Sequence, residues 1–383
     1  MNQDENTTNI QISESIFNKI GQLTKTKKGK IKILITIIIL IILVLLLITV
    51  YNRYIKHNKS ATVASTITDI FKGQENNSTN QNELSKLDNL SYSKDTANRH
   101  PLAVMIENHP DARPQSGLGS ASVVYEAIAE GGITRFMAVF GPNAPEKVGP
   151  VRSARTYYLD WALEYDAFYS HVGGNIDALD LIPQIGIKDL DQFRYGTEAY
   201  WRIPQAGKAT EHTMYTNAVK LYNIANNNKW NMSSNFAPNS FKDDLPKDQR
   251  PTSQSVNINF SSESYDVNWV YEPNNNVYLR EMAGAPHKDA LTNEQIKAKN
   301  IVIQEVNRQA VITRINENGW KMNTVGSGKA RVFIDGKETE ATWKKADRNS
   351  RTKFSDTSGK EIEFDAGATW YEIVPPETPI TVK

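Results

Sequence analysis

Leu102-Ala-Val-Met-Ile106 is a short apolar run that ends at Glu107-Asn108-His109-Pro110. Two further runs, 122–128 and 135–140, flank Glu130-Gly131-Gly132. Apolar runs of this length bounded by turn residues read as buried strands joined by a tight connection. Beyond them the period changes. Residues 156–165 (TYYLDWALEY) carry apolar side chains at helical spacing, 167–172 is strand-like, 176–185 is again helical, and 218–230 predicts a last helix. Alternation of strands and helices predicts an α/β layered domain over 100–245. A polar, proline-containing stretch, 233–255, precedes a second half built differently. There, 265–271, 277–282, 300–306, 310–316, 330–334, 338–343, 361–364 and 369–374 are short segments rich in β-branched and aromatic residues, and Asp335-Gly336 signals a hairpin. The expected fold class is α+β: the α/β layered domain followed by a mainly antiparallel β domain over 262–376. No repeat of fixed period is present.

Working outward to the N-terminus, residues 33–50 are apolar except for Thr36 and Thr49. As a helix this run would reach about 27 Å, close to the roughly 30 Å of a bilayer core. The expectation is one transmembrane helix over 33–51. Six lysines precede it, against Arg53, Lys56 and Lys59 after it, so residues 1–32 form a cytoplasmic tail and the rest is exported. A cleaved signal peptide is the alternative. Its apolar region is usually shorter, about 7 to 15 residues, and ends in small residues, whereas Tyr51-Asn52-Arg53 comes next here. Residues 52–99, with QENNSTNQN at 74–82, read as a flexible tether. As a coil, 74–98 would span roughly 25 to 30 Å, placing the folded part within the inner cell wall.

The chain has no cysteine, which excludes disulfides, thiolate metal sites, a cysteine nucleophile and lipidation of an N-terminal cysteine. The net charge of +1 divides unevenly. The tail to Lys32 has six lysines against Asp4, Glu5 and Glu14, or +3, leaving 38 basic and 40 acidic residues beyond it, or −2. The exported part therefore lacks the basic excess of a nucleic-acid binder, and the expected partners are the membrane and a cell-wall polymer or envelope protein.

Candidate chemistry lies in the first domain. Gly149-Pro-Val-Arg-Ser-Ala-Arg155 runs into the start of the helix at 156. Arg152, Ser153 and Arg155 could hold a phosphate or carboxylate where backbone N–H groups are free, and Arg113 and Arg135 complete a candidate ligand-binding set. The competing reading makes Ser153 a helix cap and pairs the arginines with acids. Glu126 and Glu130 could act on a glycosidic bond, but on a continuous strand they would stand roughly 13 Å apart. Pairing to Arg113 or Arg135 is the expected alternative. His171 and His212 are the candidate bases. His287 and Asp289 lack further ligands, so no metal is expected, and no cofactor-binding motif is present.

Arg113-Pro-Gln-Ser-Gly-Leu, Tyr125-Glu-Ala-Ile-Ala-Glu-Gly-Gly-Ile-Thr-Arg135-Phe and Gly149-Pro-Val-Arg-Ser-Ala-Arg155 resemble the YerB-like family of Gram-positive cell-surface proteins, whose function is unknown. His212-Thr-Met-Tyr-Thr-Asn217, Ala283-Gly-Ala-Pro-His287-Lys-Asp289, Val332-Phe-Ile-Asp-Gly336, Thr342-Trp343 and Gly367-Ala-Thr-Trp370 extend the resemblance over nearly all of the exported part. It implies an α/β domain followed by a β domain at the outer face of the membrane. Many relatives look like lipoproteins attached through a cysteine; here the apolar helix takes that place. No catalytic residue comes with the resemblance. The expected function is binding of an anionic envelope ligand, with a cell-wall glycan hydrolase using Glu126, Glu130, His171 or His212 as the alternative.

Overall fold

The computed structural model describes Ile31, Thr49 and residues 82–233 and 235–383. The chain divides into two compact units, Met1–Glu75 and Asn76–Lys383, and nearly everything described belongs to the second. The expected tail, transmembrane helix and first part of the tether lie outside the described residues, apart from Ile31 and Thr49. Among the described residues no helix is long and apolar enough to cross a membrane.

Five strands come from the first half: β1 (Leu102–Glu107), β2 (Val123–Ile128), β3 (Thr134–Phe140), β4 (Phe168–His171) and β5 (Lys188–Asp191). The second half supplies β6 (Ser255–Asn259), β7 (Asp266–Glu272), β8 (Val277–Met282), β9 (Asn300–Glu305), β10 (Gly326–Ile334), β11 (Lys337–Lys345), β12 (Lys353–Asp356), β13 (Thr369–Val374) and β14 (Ile380–Val382). Ten of these form one mixed sheet in the order β12-β11-β10-β9-β13-β2-β3-β1-β4-β5. The late strand β13 is the joint, pairing in parallel with β9 on one side and with β2 on the other. The two sequence halves therefore share one sheet. A smaller sheet, built on β8-β7-β6-β14, packs beside it.

The reason is the two-sided burial of the central strands. Side chains alternate between faces, so Leu102, Val104, Val124, Phe136 and Trp370 enter one core with Val256, Ile258 and Trp269 of the smaller sheet. Their neighbours Ala103, Met105, Tyr125, Met137 and Tyr371 enter a second core. Helices α1 (Thr156–Leu163) and α2 (Ile176–Ile185) cover that second face through Tyr157, Tyr158, Trp161, Ala178 and Ile182. α3 (Gln192–Ala199) follows β5, and α4 (Ala218–Asn227) returns to the first core through Ala218, Leu221 and Ile224. α2 begins at Asn175, whose side chain accepts the Ala178 N–H, and ends at Gly186 with φ +68°.

Three sequence expectations change. Residues 82–99 are not tether: Asn82–Leu84 pairs with Ser91–Ser93, and Lys94–Ala97 makes a helical turn. Leu87 is buried, and Asp88 accepts from Ser122 Oγ at 2.6 Å while its carbonyl accepts from Gly367 N. Polar composition hid these tertiary anchors. β6 reaches into the expected polar connector, with only Val256 and Ile258 buried on alternate positions. β12 is likewise additional, pairing with β11.

Candidate functional site

β1, β4 and β5 run parallel, so their carboxyl ends lie side by side. Crevices outside such ends are the usual ligand position in open α/β sheets. The segment 149–155 crosses there. Val151 N donates to Met214 O, Arg152 N to Met105 O, Val172 N to Arg152 O and Ala154 N to Gly173 O. Gly149 allows the approach: its φ is +142°, and a Cβ there would stand 2.8 Å from Met214 O.

The two arginines of this segment diverge. Arg152 turns to Glu107 at the end of β1, with Nε 2.5 Å from Oε2. The angle satisfies neither group, and both atoms are buried without a hydrogen-bond partner. Glu107 Oε2 also lies 3.5 Å from Nδ1 of His212, which has no hydrogen-bond partner either. The His212 ring stacks on His109 at 4.7 Å, and His109 Nδ1 lies 3.6 Å from Asp111 Oδ2. Arg155 instead grips Glu130 with Nε and Nη2 at 2.6 and 2.5 Å. Burial alone would raise the Glu130 carboxyl, but Arg155 outweighs it and holds the group below the usual carboxylate range. Arg155 also occupies the N-cap position of α1, so Ser153 does not cap that helix.

Between these pairs lies Arg135. Its Nη1 donates to Ser153 O at 2.9 Å, its Nε has no partner, and no carboxylate among the described residues pairs with it. Burial, then the charge of Arg155, pushes the Arg135 guanidinium down. Arg113 is elsewhere, donating to Asn108 and to Ser264 O and lying over the Tyr265 ring. Thus the structure gathers Arg135, Arg152, Ser153 and Arg155 and leaves Arg113 at the seam with the smaller sheet.

The acid and base candidates separate in the same way. Glu126 faces the first core and meets neither Arg113 nor Arg135. It pairs with Arg280 of β8, both fully buried, and accepts from Thr134 Oγ1 at 2.6 Å. Arg280 is enclosed by Phe136, Trp269 and Trp370, with its carbon Cζ 4.8 Å from the Trp370 ring centre. Its Nη1 meets His287 Nδ1 at 2.5 Å, and His287 Nε2 meets Gln115 Oε1 at 2.8 Å. Burial, then Arg280 and Arg113, push His287 well below the usual histidine range. Asp289 accepts the N–H groups of Gly117, Gly119 and Leu291, so it and His287 make no ligand pair. His171 has Nδ1 against Gly173 O and Nε2 against Asp189 Oδ1, at 2.7 and 2.8 Å, so both ring nitrogens are already engaged within the protein. His171 and His212 both face carboxylates at the strand ends, but only His212 has a ring nitrogen, Nδ1, that is buried without a hydrogen-bond partner. Glu107, His109 and Asp111 complete its surroundings and are not among the sequence candidates, because Glu107-Asn108-His109-Pro110 signals only the end of a strand.

Residues 87–231 match the N-terminal domain, and 256–371 the C-terminal domain, of a family described as protein of unknown function (DUF3048). The chain belongs to this family. One curated relative, described as "Putative lipoprotein YerB" of Bacillus subtilis (strain 168), is 30% identical over 294 residues, covering 76% of this chain and 85% of its own. The crystal structure of YerB from Bacillus subtilis superimposes with a TM-score of 0.69 at 28% identity, covering 78% of this chain and 100% of the solved one. The family boundary at 231–256 coincides with the polar connector, although β13 carries the second family segment back into the sheet of the first.

Proposed function

We propose that the chain is a membrane-attached, extracytoplasmic envelope protein whose Arg135-Arg152-Arg155 group binds an anionic envelope ligand, a peptidoglycan carboxylate or a teichoic-type phosphate. The carrying observation is Arg135: among the described residues Arg152 and Arg155 pair with Glu107 and Glu130, whereas Arg135 pairs with no carboxylate and is buried with an unpartnered Nε. An incoming anion supplies the missing negative charge and acceptor. The apolar run at 33–50 and the description of the relative as a lipoprotein support attachment and export.

Calorimetry on the full chain at low salt, with muropeptides and with glycerol-phosphate oligomers, tests the reading. Arg152→Gln should weaken binding about tenfold or more, the size expected for one charge-assisted hydrogen bond. Equal binding by wild type and Arg152→Gln would remove the site. A second reading, glycan hydrolysis, is favoured by the Glu107–His212 contact, which sets a carboxylate against an imidazole nitrogen in the same place. It predicts released saccharide on incubation with peptidoglycan and none with His212→Asn.

A further inference from the structure

We propose that His109, Asp111 and His212 form a site for one divalent transition-metal ion, with Glu107 orienting His212 from behind. One ligand atom from each of the three lies within 4.8 Å of the others. The 3.6 Å between His109 Nδ1 and Asp111 Oδ2 is near the roughly 3.4 Å edge of a tetrahedral site with bonds of about 2.05 Å. An independent observation concerns the buried carboxylate. A metal-bound histidine usually passes its second ring N–H to such a group. Glu107 Oε2, which also lies 2.5 Å from Arg152 Nε, stands 3.5 Å from His212 Nδ1, and neither Oε2 nor Nδ1 has a hydrogen-bond partner. With Nδ1 turned to Glu107, Nε2 is the His212 ring nitrogen left for a metal.

The two rings now stack within 10° of parallel, so their lone pairs do not converge on one point. Loading therefore requires His109 to turn. Its side chain is 34% exposed, whereas that of His212 is 7% exposed and enclosed. The turn exchanges the 3.2 Å contact from the Asp111 N–H to His109 Nδ1 for a metal bond. Two imidazoles and one carboxylate, without thiolate, suit zinc, cobalt, nickel, manganese or ferrous iron rather than calcium. Asp111, at 64% side-chain exposure, leaves the remaining positions to water. The three ligands are not arginine partners; Glu107 alone is shared with the guanidinium group, so Asp111→Asn and His109→Ala, which leave Glu107 and Arg152 intact, separate metal uptake from anion binding.

The test uses the untagged full chain stripped with a chelator. It is titrated with Zn2+ by calorimetry and with Co2+ by visible absorption. The expected result is one ion per chain, with ligand-field bands for Co2+ bound to mixed nitrogen and oxygen donors. Asp111→Asn and His109→Ala should each weaken uptake by at least about tenfold, and Glu107→Gln by about 10- to 100-fold through His212. Asp111 is exposed, so its variant tests the site without threatening the fold. No saturable uptake by wild type, or uptake unchanged in Asp111→Asn, overturns the proposal, whatever becomes of muropeptide binding.

Discussion

Two clusters of arginine, carboxylate and histidine stand in this molecule, and they are built to opposite ends. Glu126, Arg280, His287 and Glu372 lie between the two sheets, where aromatic rings and Gln115 close every side. Glu107, Arg152, His212 and His109 lie at the strand ends, where Arg152 keeps 27% of its side chain exposed; buried atoms without hydrogen bonds occur in both clusters, Arg280 Nε and Glu372 Oε2 in the first and Glu107 Oε2, Arg152 Nε and His212 Nδ1 in the second. A closed cluster exchanges hydration for fixed partners and holds the sheets together. An open one sets its unmet valence beside a side chain that a ligand can reach. Residue type alone does not tell them apart; enclosure does.

The largest expected effect comes from breaking the closed cluster. Arg280→Met strands the Glu126 carboxylate beside Glu372, whose carboxyl burial and Glu126 already push well above the usual range. The domain should lose about 3 to 5 kcal/mol, read by urea unfolding of the full chain. Wild-type stability would show that the aromatic packing, not the ion pair, holds the sheets.

The next effect is a pH dependence. His287 and His100 have folded-state affinities for protons pushed down, mainly by burial, so below about pH 6.5 the unfolded chain binds protons that the folded chain does not. Stability should therefore be complete above that pH and decline as the pH drops toward 5, by up to about 1.4 kcal/mol per pH unit for each group. Denaturation curves at several pH values check this, and His287→Gln should flatten the slope. The smallest effect belongs to the open cluster. Arg152→Gln should change stability by about 1 kcal/mol or less, since Arg152 is partly exposed, the glutamine keeps a polar group beside the buried Glu107, and His212 remains there. A loss as large as that of Arg280→Met would erase the distinction and make the motif structural.

Much of the fold is legible in the chain. Ile176–Ile185, Val277–Met282 and Thr369–Val374 appear where their periodicity or composition places them, and β1 to β4 shift by only a few residues at their ends. Local patterns suffice because each strand or helix buries the faces its own spacing presents. The segment 82–97 is not legible, because Leu87 and Asp88 are held by Ser122, Gly141 and Gly367, far along the chain. Nor are the ion-pair partners. Periodicity points Glu126 into a core but cannot say that Arg280, 154 residues later, awaits it there.

The sequence by itself determined the strand and helix segments, the change of character between the halves, the absence of thiol chemistry and the motif 149–155 as a place where arginines gather. Only the tertiary structure decided that β13 joins both halves in one sheet, that Arg152 and Arg155 part toward different glutamates, and that His109 and His212 meet. The physical reason is range. Period and turn chemistry act over a few residues, whereas the neighbours of a buried charge are chosen by packing between strands distant in the chain.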